Sequence, residues 1–173
     1  MGIHLLNIKR AVAAIVLVCS MGVAYAADFV VDGISYKILS ADDKTCAVTA
    51  SETGYTGDIV VPATYMNLPI VAIADSVFKN RTNITSITLP DCVKTIGSYA
   101  FEYCKVLKSF YGKYASMDGR SLIVNGRLVT IALNGLTEYT IPSEVTSVAP
   151  AVICTNNIVS FSGNFVSEDA TMI

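Results

Sequence analysis

Residues 84–106 read ITSITLPDCVKTIGSYAFEYCKV, and residues 136–157, LTEYTIPSEVTSVAPAVICTNN, follow the same plan. A step of 52 positions carries Ile84 to Leu136, Ile87 to Tyr139, Leu89 to Ile141, Pro90 to Pro142, Val93 to Val145, Ile96 to Val148 and Phe101 to Ile153. An earlier copy appears at a step of 23, which places Ile73-Ala74 under Ile96-Gly97, Val77-Phe78 under Ala100-Phe101 and Arg81 under Cys104. Its proline, Pro62, lies five residues too far back, so this copy carries a short insertion around Tyr65-Met66-Asn67-Leu68-Pro69. Self-similarity of this kind marks a repeat architecture, and it takes precedence over any local reading.

The physical content of one unit follows from its residues. Alternation in Ser86-Ile87-Thr88-Leu89 predicts a short strand with one buried face, and Pro90 ends it because proline has no N–H for a ladder. Val93-Lys94-Thr95-Ile96 predicts a second extended piece burying Val93 and Ile96, after which Gly97 permits a bend. Ser98–Cys104 is expected to make about one helical turn, with Ser98 as N-cap and Ala100, Phe101 and Cys104 facing inward. A single unit cannot bury its own apolar face. Stacking places Ile on Ile and Phe on Phe, each covered side chain contributing about 1.5–3 kcal/mol, so stability arises between neighbouring units.

The signature Leu/Ile-x-x-Ile-x-Leu-Pro-x-x-Val-x-x-Ile-Gly-x-x-Ala-Phe-x-x-Cys, whole from Ile84 to Cys104, resembles the BspA-type leucine-rich repeats of bacterial surface and secreted proteins. The resemblance extends from about Phe29 to the end. It departs from the pattern at Arg81, in the cysteine position of unit one, and at Ala149, Ile153 and Asn156, which replace Gly, Phe and Cys in unit three. The resemblance implies a mainly β leucine-rich-repeat solenoid with short helical turns. It also implies adhesion to host proteins or neighbouring cells through the array rather than through a reactive centre.

The flanking segments complete the expected organisation. FVVDGISYKILS, TCAVTA and GDIVVP read as strands joined by turns at Asp32-Gly33, Asp42-Asp43 and Gly54. They resemble the antiparallel β cap that shields the first coil in this family. Leu122-Ile123-Val124, Asn125-Gly126 and Arg127-Leu128-Val129 form a hairpin signal, since Asn-Gly supplies the positive φ angles of a type I′ turn. This hairpin is expected to grow out of the solenoid as an insertion. From Phe110 the text Phe-x-Gly-x-Tyr-x-Ser-x-Asp recurs 51 residues later from Phe161 to Asp169, with Phe165 and Glu168 within it. A second such insert thus begins before Ile173. It leaves Val159 and Phe165 without cover, and end-to-end self-association through this uncapped C-terminal edge is expected.

The expected boundaries are therefore a signal peptide at 1–26 and one repeat domain at 27–173. Within it lie the cap at 27–57, an irregular repeat at 58–83, a repeat at 84–106, a strand and hairpin insert at 107–135, a repeat at 136–157 and an incomplete unit at 158–173. Lys9 and Arg10, the apolar run Ala11–Val18 and the small residues of Ala24-Tyr25-Ala26 identify the signal, with cleavage between Ala26 and Ala27. The run is short of the ~20 apolar residues of a membrane span, and no later stretch is expected to span stably. Val18 argues against a lipid anchor on Cys19, because a small residue should precede a lipidated cysteine. The expected location is thus secreted, periplasmic or cell-surface.

The chain is 53% hydrophobic and only 15% charged, which fits coils that turn half their positions inward and present Ser, Thr, Asn and Tyr outward. Removal of the signal takes away His4, the only histidine, and leaves 10 basic against 14 acidic residues. A mildly acidic chain without a basic patch is not expected to bind nucleic acid. Without histidine, neither a Ser-His nor a Cys-His pair can form. The adjacent Asp42 and Asp43 shape a turn better than a glycosidase acid pair. No Gly-rich loop leads into a long helix, so no phosphate site, and no cofactor, is expected. The absence of a Cys-x-x-Cys pair disfavours zinc. Cys46, Cys92, Cys104 and Cys154 allow two disulfides in any of three pairings, or remain isolated thiols.

These exclusions leave a non-enzymatic binding module as the expectation. If Ile84, Ile87 and Leu89 point inward, Ser86 and Thr88 point outward, and register places Asp58 and Val60, Ser109 and Tyr111, and Glu138 and Thr140 beside them. Asp58, Ser86, Thr88, Ser109, Tyr111, Glu138 and Thr140 are the candidate binding face for a host or bacterial surface protein or glycan. Tyr99 and Tyr103 are expected to form a second aromatic surface on the short helix. The alternative is a structural spacer, or a remnant of a longer array, with no ligand of its own.

Overall fold

The computed structural model describes residues 28–31, 33–40, 44–51, 54–150, 152, 160–163 and 166–167. The expected signal peptide with Cys19, the Asp42-Asp43 turn, the end of unit three with Ile153, Cys154 and Asn156, and Val159 and Phe165 lie outside the described residues. Where described, the chain is built from short strands, and no helix occurs among those residues.

The N-terminal strands β1 (Asp28–Val31), β2 (Ile34–Ser40) and β3 (Thr45–Thr49) form an antiparallel meander. Its last strand joins the solenoid. β3 pairs in parallel with β6 (Leu68–Ile73), and β6 in turn with β8 (Thr95–Ile96). A second wall is made by β4 (Gly57–Val60), β7 (Ile84–Thr88) and β9 (Ser109–Tyr111), also parallel. The insertion at Tyr65–Pro69 is a small hairpin: β5 (Thr64–Tyr65) folds back on β6 through Met66 and Asn67, both at positive φ. Ile84, Ile87, Leu89 and Val93 are fully buried between these walls, as their alternation predicts.

Residues 98–104 do not make the expected helical turn. Tyr99 and Tyr103 have φ of 57° and 58°, matched one coil earlier by Ser76 at 56° and Asn80 at 59°. The reason is a ladder between coils: the amides of Ser76, Phe78 and Asn80 donate to the carbonyls of Ser98, Ala100 and Glu102. Alternate peptide groups point at the neighbouring coil and so cannot serve an α-helix. Ser98 is accordingly no N-cap; its own amide donates to the Asp75 carboxylate at 2.7 Å. The inward set is nonetheless as read, with Ala100, Phe101 and Cys104 all buried.

An aromatic spine runs through the stack. Tyr55 meets Phe78 edge-on at 4.9 Å, Phe78 stacks on Phe101 at 5.3 Å, and Phe101 meets Phe110 edge-on at 5.4 Å. Each such contact contributes about 0.5–1.5 kcal/mol beyond burial. Among the described residues the spine ends at Phe110.

Beyond it the expected insert takes a different role. β10 (Ser121–Val124) and β11 (Arg127–Ile131) form the hairpin through Asn125 and Gly126, at φ of 52° and 78°. This hairpin does not project from the solenoid: β11 pairs in parallel with β13 (Ser147–Val148), and β13 with β15 (Val166–Ser167), so it supplies a wall strand. Its pleat also divides the interior. Leu122 and Val129 pack into the N-terminal core, whereas Ile123, Leu128 and Ile131 pack with Tyr139, Ile141, Val145 and Val148 in a second core. β12 (Glu138–Thr140), whose Tyr139 lies in that second core, pairs in parallel with β14 (Ser160–Ser162).

Candidate binding face

The outward side of β4, β7 and β9 carries two rows. Parallel register sets Asp58 beside Ser86 and Ser86 beside Ser109; the second row is Val60, Thr88 and Tyr111. Val60 is 63% and Tyr111 53% exposed, so the second row presents an apolar and an aromatic group to solvent. In the first row Asp58 Oδ1 accepts hydroxyl donations from Thr85 at 2.6 Å and Ser86 at 2.7 Å. A register shift between Gly57 and Asp58 inserts an extra β7 residue there and brings Thr85 within reach. The two hydroxyls, Thr85 first, hold the Asp58 carboxyl below its ordinary range, and the Lys108 charge adds to this. The group is therefore an anion at neutral pH. Ser109 Oγ donates to Tyr111 Oη at 3.2 Å, which ties the third strand's two outward groups together.

Glu138 and Thr140 do not join these rows. β12 pairs with β14, not with β9. The edge of β9 is already taken, because the Phe110 amide donates to Gly119 O at 2.7 Å. Arg120 fixes this arrangement by donating to Lys108 O and Asn134 O, while the Asn134 side chain donates to Val106 O. The expected continuous strip is thus two patches: Asp58, Ser86, Thr88, Ser109 and Tyr111 on one sheet, and Glu138 and Thr140 on the other, where Ser162 Oγ meets Thr140 Oγ1 at 3.2 Å. The sequence marks an insert at 107–135 but not that its Gly119 carbonyl takes the edge of β9.

Tyr99 and Tyr103 are both exposed, at 45% and 42%. They stand on the turn ladder rather than on a helix, and Lys79, ion-paired with Glu102, lies over the Tyr99 ring with Nζ 5.3 Å from its centre.

The thiols are separate. Cys46, Cys92 and Cys104 are free. Cys104 Sγ donates to Phe78 O at 3.0 Å, and burial pushes its thiol up to about 11; Cys92 Sγ lies 3.2 Å from Ala63 O. Among the described residues no three His, Cys, Asp or Glu side chains gather where they could hold a metal ion. No helix among them is long and apolar enough to cross a membrane.

The geometry is that of a planar polar and aromatic surface on a repeat scaffold, and comparison with known proteins agrees on the scaffold. Residues 64–118 match the family model described as BspA type Leucine rich repeat region (6 copies). Among solved structures, a leucine-rich repeat protein from Bacteroides capillosus is 26% identical, with a TM-score of 0.51 over 79% of this chain and 98% of that one. A leucine rich cell surface protein from Faecalibacterium prausnitzii is 22% identical, with a TM-score of 0.50 over 81% of this chain and 43% of that one. The leucine-rich repeat protein of T. pallidum is 20% identical, with a TM-score of 0.50 over 80% of this chain and 65% of its own. The last two share the fold, and this chain spans less than half of the Faecalibacterium protein. No curated protein matches the sequence significantly. The stacked walls are thus those of a leucine-rich-repeat solenoid, and residues 64–118 within it form a BspA-type leucine-rich repeat region.

Proposed function

We propose that the protein is an exported, non-catalytic binding module that engages a protein or glycan at the bacterial surface through the outward side of β4, β7 and β9. One observation carries this reading: three parallel strands align Asp58, Ser86 and Ser109 in one row and Val60, Thr88 and Tyr111 in the next. A rigid sheet holding hydroxyls, one carboxylate and an exposed tyrosine in fixed register offers directional hydrogen bonds beside an aromatic contact, at little cost in ordering. The sequence features of a secretory signal, and the cell-surface description of the Faecalibacterium protein, support a location outside the cytoplasm. End-to-end association of copies belongs to the same reading.

The test is a binding screen of the mature chain against host matrix proteins, bacterial surface proteins and a glycan array. Tyr111→Ala is expected to weaken any interaction by tenfold or more, on the order of 1.4 kcal/mol. Glu138→Lys, on the separate patch, is expected to change it less than about threefold. Uniformly negative binding leaves the spacer reading.

A further inference from the structure

Among the described residues the cap pairs with one of the two walls it faces. β3 pairs with β6 and so closes the start of that sheet, but among the described residues β4 has a strand neighbour on one side only, β7. The amides of Gly57 and Val61 donate to Asn83 O and Thr88 O. Strand alternation therefore turns the N–H and C=O groups of Asp58 and Val60 to the other edge, away from β7. A cleft of about 390 Å³ opens along that edge, bounded by Ile34, Tyr36, Tyr55, Asp58, Val60 and Pro62. Ile34, Tyr36 and Tyr55 are buried behind the cleft and fix its inner wall, whereas Asp58 and Val60 are exposed at the rim.

Evenly spaced backbone donors and acceptors along a cleft are complementary to another extended backbone. Side chains then set the preference. A strand added to β4 extends both rows of the face, so one of its residues lies beside Asp58 and another, two positions away, beside Val60. Both hydroxyls that reach Asp58 go to Oδ1, so neither occupies Oδ2, and a cation on the added strand complements the carboxylate. Pro62, the next residue of the same parity, has no N–H and limits the pairing to a short segment.

Resting on the binding-module reading, we propose that the open edge of β4 accepts an extended peptide of a partner protein as an added strand, selecting a basic residue opposite Asp58 and an apolar residue two positions away opposite Val60.

The experiment uses the mature chain and synthetic heptapeptides. TTKTVTT is expected to shift the amide resonances of Asp58 and Val60 and to slow their hydrogen exchange by at least about tenfold. The charge-reversed TTETVTT, and TTKTVTT methylated on alternate amide nitrogens, are expected to bind at least about tenfold more weakly. Val60→Pro removes an N–H that does not serve the β4–β7 ladder and is expected to abolish binding. Equal binding of the methylated peptide, or full binding by Val60→Pro, overturns the proposal whatever that variant's stability. Protection of the same amides in the peptide-free protein that grows with protein concentration also overturns it, by making a second copy the occupant. The face and the edge fail separately: an interaction with a surface protein that survives Val60→Pro but not Tyr111→Ala, with no peptide binding, removes the edge and keeps the face.

Discussion

Gly97 shows how a repeat signature encodes packing rather than chain reversal. It was expected to permit a bend, yet its φ is not in the left-handed region. What it lacks is room: a Cβ there would come within 2.5 Å of the Asp75 amide nitrogen and 2.6 Å of the Ala74 carbonyl carbon. The coil 23 residues back approaches too closely for any side chain. Ala149, at the same place in unit three, makes the equivalent bond, its amide donating to Leu128 O at 2.9 Å as the Gly97 amide does to Ile73 O at 2.8 Å, but its neighbour is β11 rather than the Ala74-Asp75 backbone. Gly97→Ala is thus expected to cost about 3 kcal/mol in urea denaturation, and Ala149→Gly under about 1 kcal/mol. Cys104 makes a second prediction. Its thiol is raised from 9.0 to about 11, so the folded state holds the proton more tightly than the unfolded chain. Its contribution is complete below pH 9 and is lost as pH climbs towards 11. Stability should fall by about 2 kcal/mol more between pH 8 and 10.5 in the wild type than in Cys104→Ala, read from urea midpoints. Gly112 and Gly163, 51 residues apart, share a positive φ and a close approach to Leu89 and Ile141 respectively, so the recurrence from Phe110 to Phe161 is also a recurrence of contact.

At the scale of elements, turn chemistry was legible where the residues are unusual and silent where they are not. Asn125-Gly126 announced β10 and β11. Met66 and Asn67 form a two-residue hairpin loop with the same positive φ angles, but methionine carries no such signal, and the segment read only as an insertion. Tyr99 and Tyr103 are a sharper case, since bulky residues rarely adopt positive φ. The turn ladder from the preceding coil imposes it. The hairpin can be tested directly. Gly126 has φ of 78°, and a Cβ would come within 2.8 Å of Thr146 Oγ1; its carbonyl also accepts the Thr146 amide at 2.7 Å. Gly126→Ala is expected to cost about 1–3 kcal/mol, while Asn125→Gly, which meets the same φ without strain, should be near neutral by thermal melting.

For the whole molecule, the partition made by β10 and β11 predicts two levels of stability. The N-terminal core holds the aromatic spine, whereas the second is aliphatic apart from Tyr139, and the Tyr139 hydroxyl donates to Ser121 Oγ at 3.0 Å across the partition. Native-state hydrogen exchange should show amides near Tyr139 and Val148 opening at lower free energy than those near Ile73 and Ile87. Tyr139→Phe should lower the first group by about 1 kcal/mol and leave the second unchanged. The sequence by itself determined the repeat, the inward residues and the outward rows of β4, β7 and β9, because these depend on period and polarity within one coil and its copy. Only the tertiary structure decided that the hairpin is a wall instead of a protrusion, that Glu138 and Thr140 stand apart from Tyr111, and that β4 has β7 as its one strand neighbour among the described residues. Those outcomes depend on which backbone edge each strand finds already occupied, and a hydrogen-bonding edge leaves no mark on the side chains that flank it.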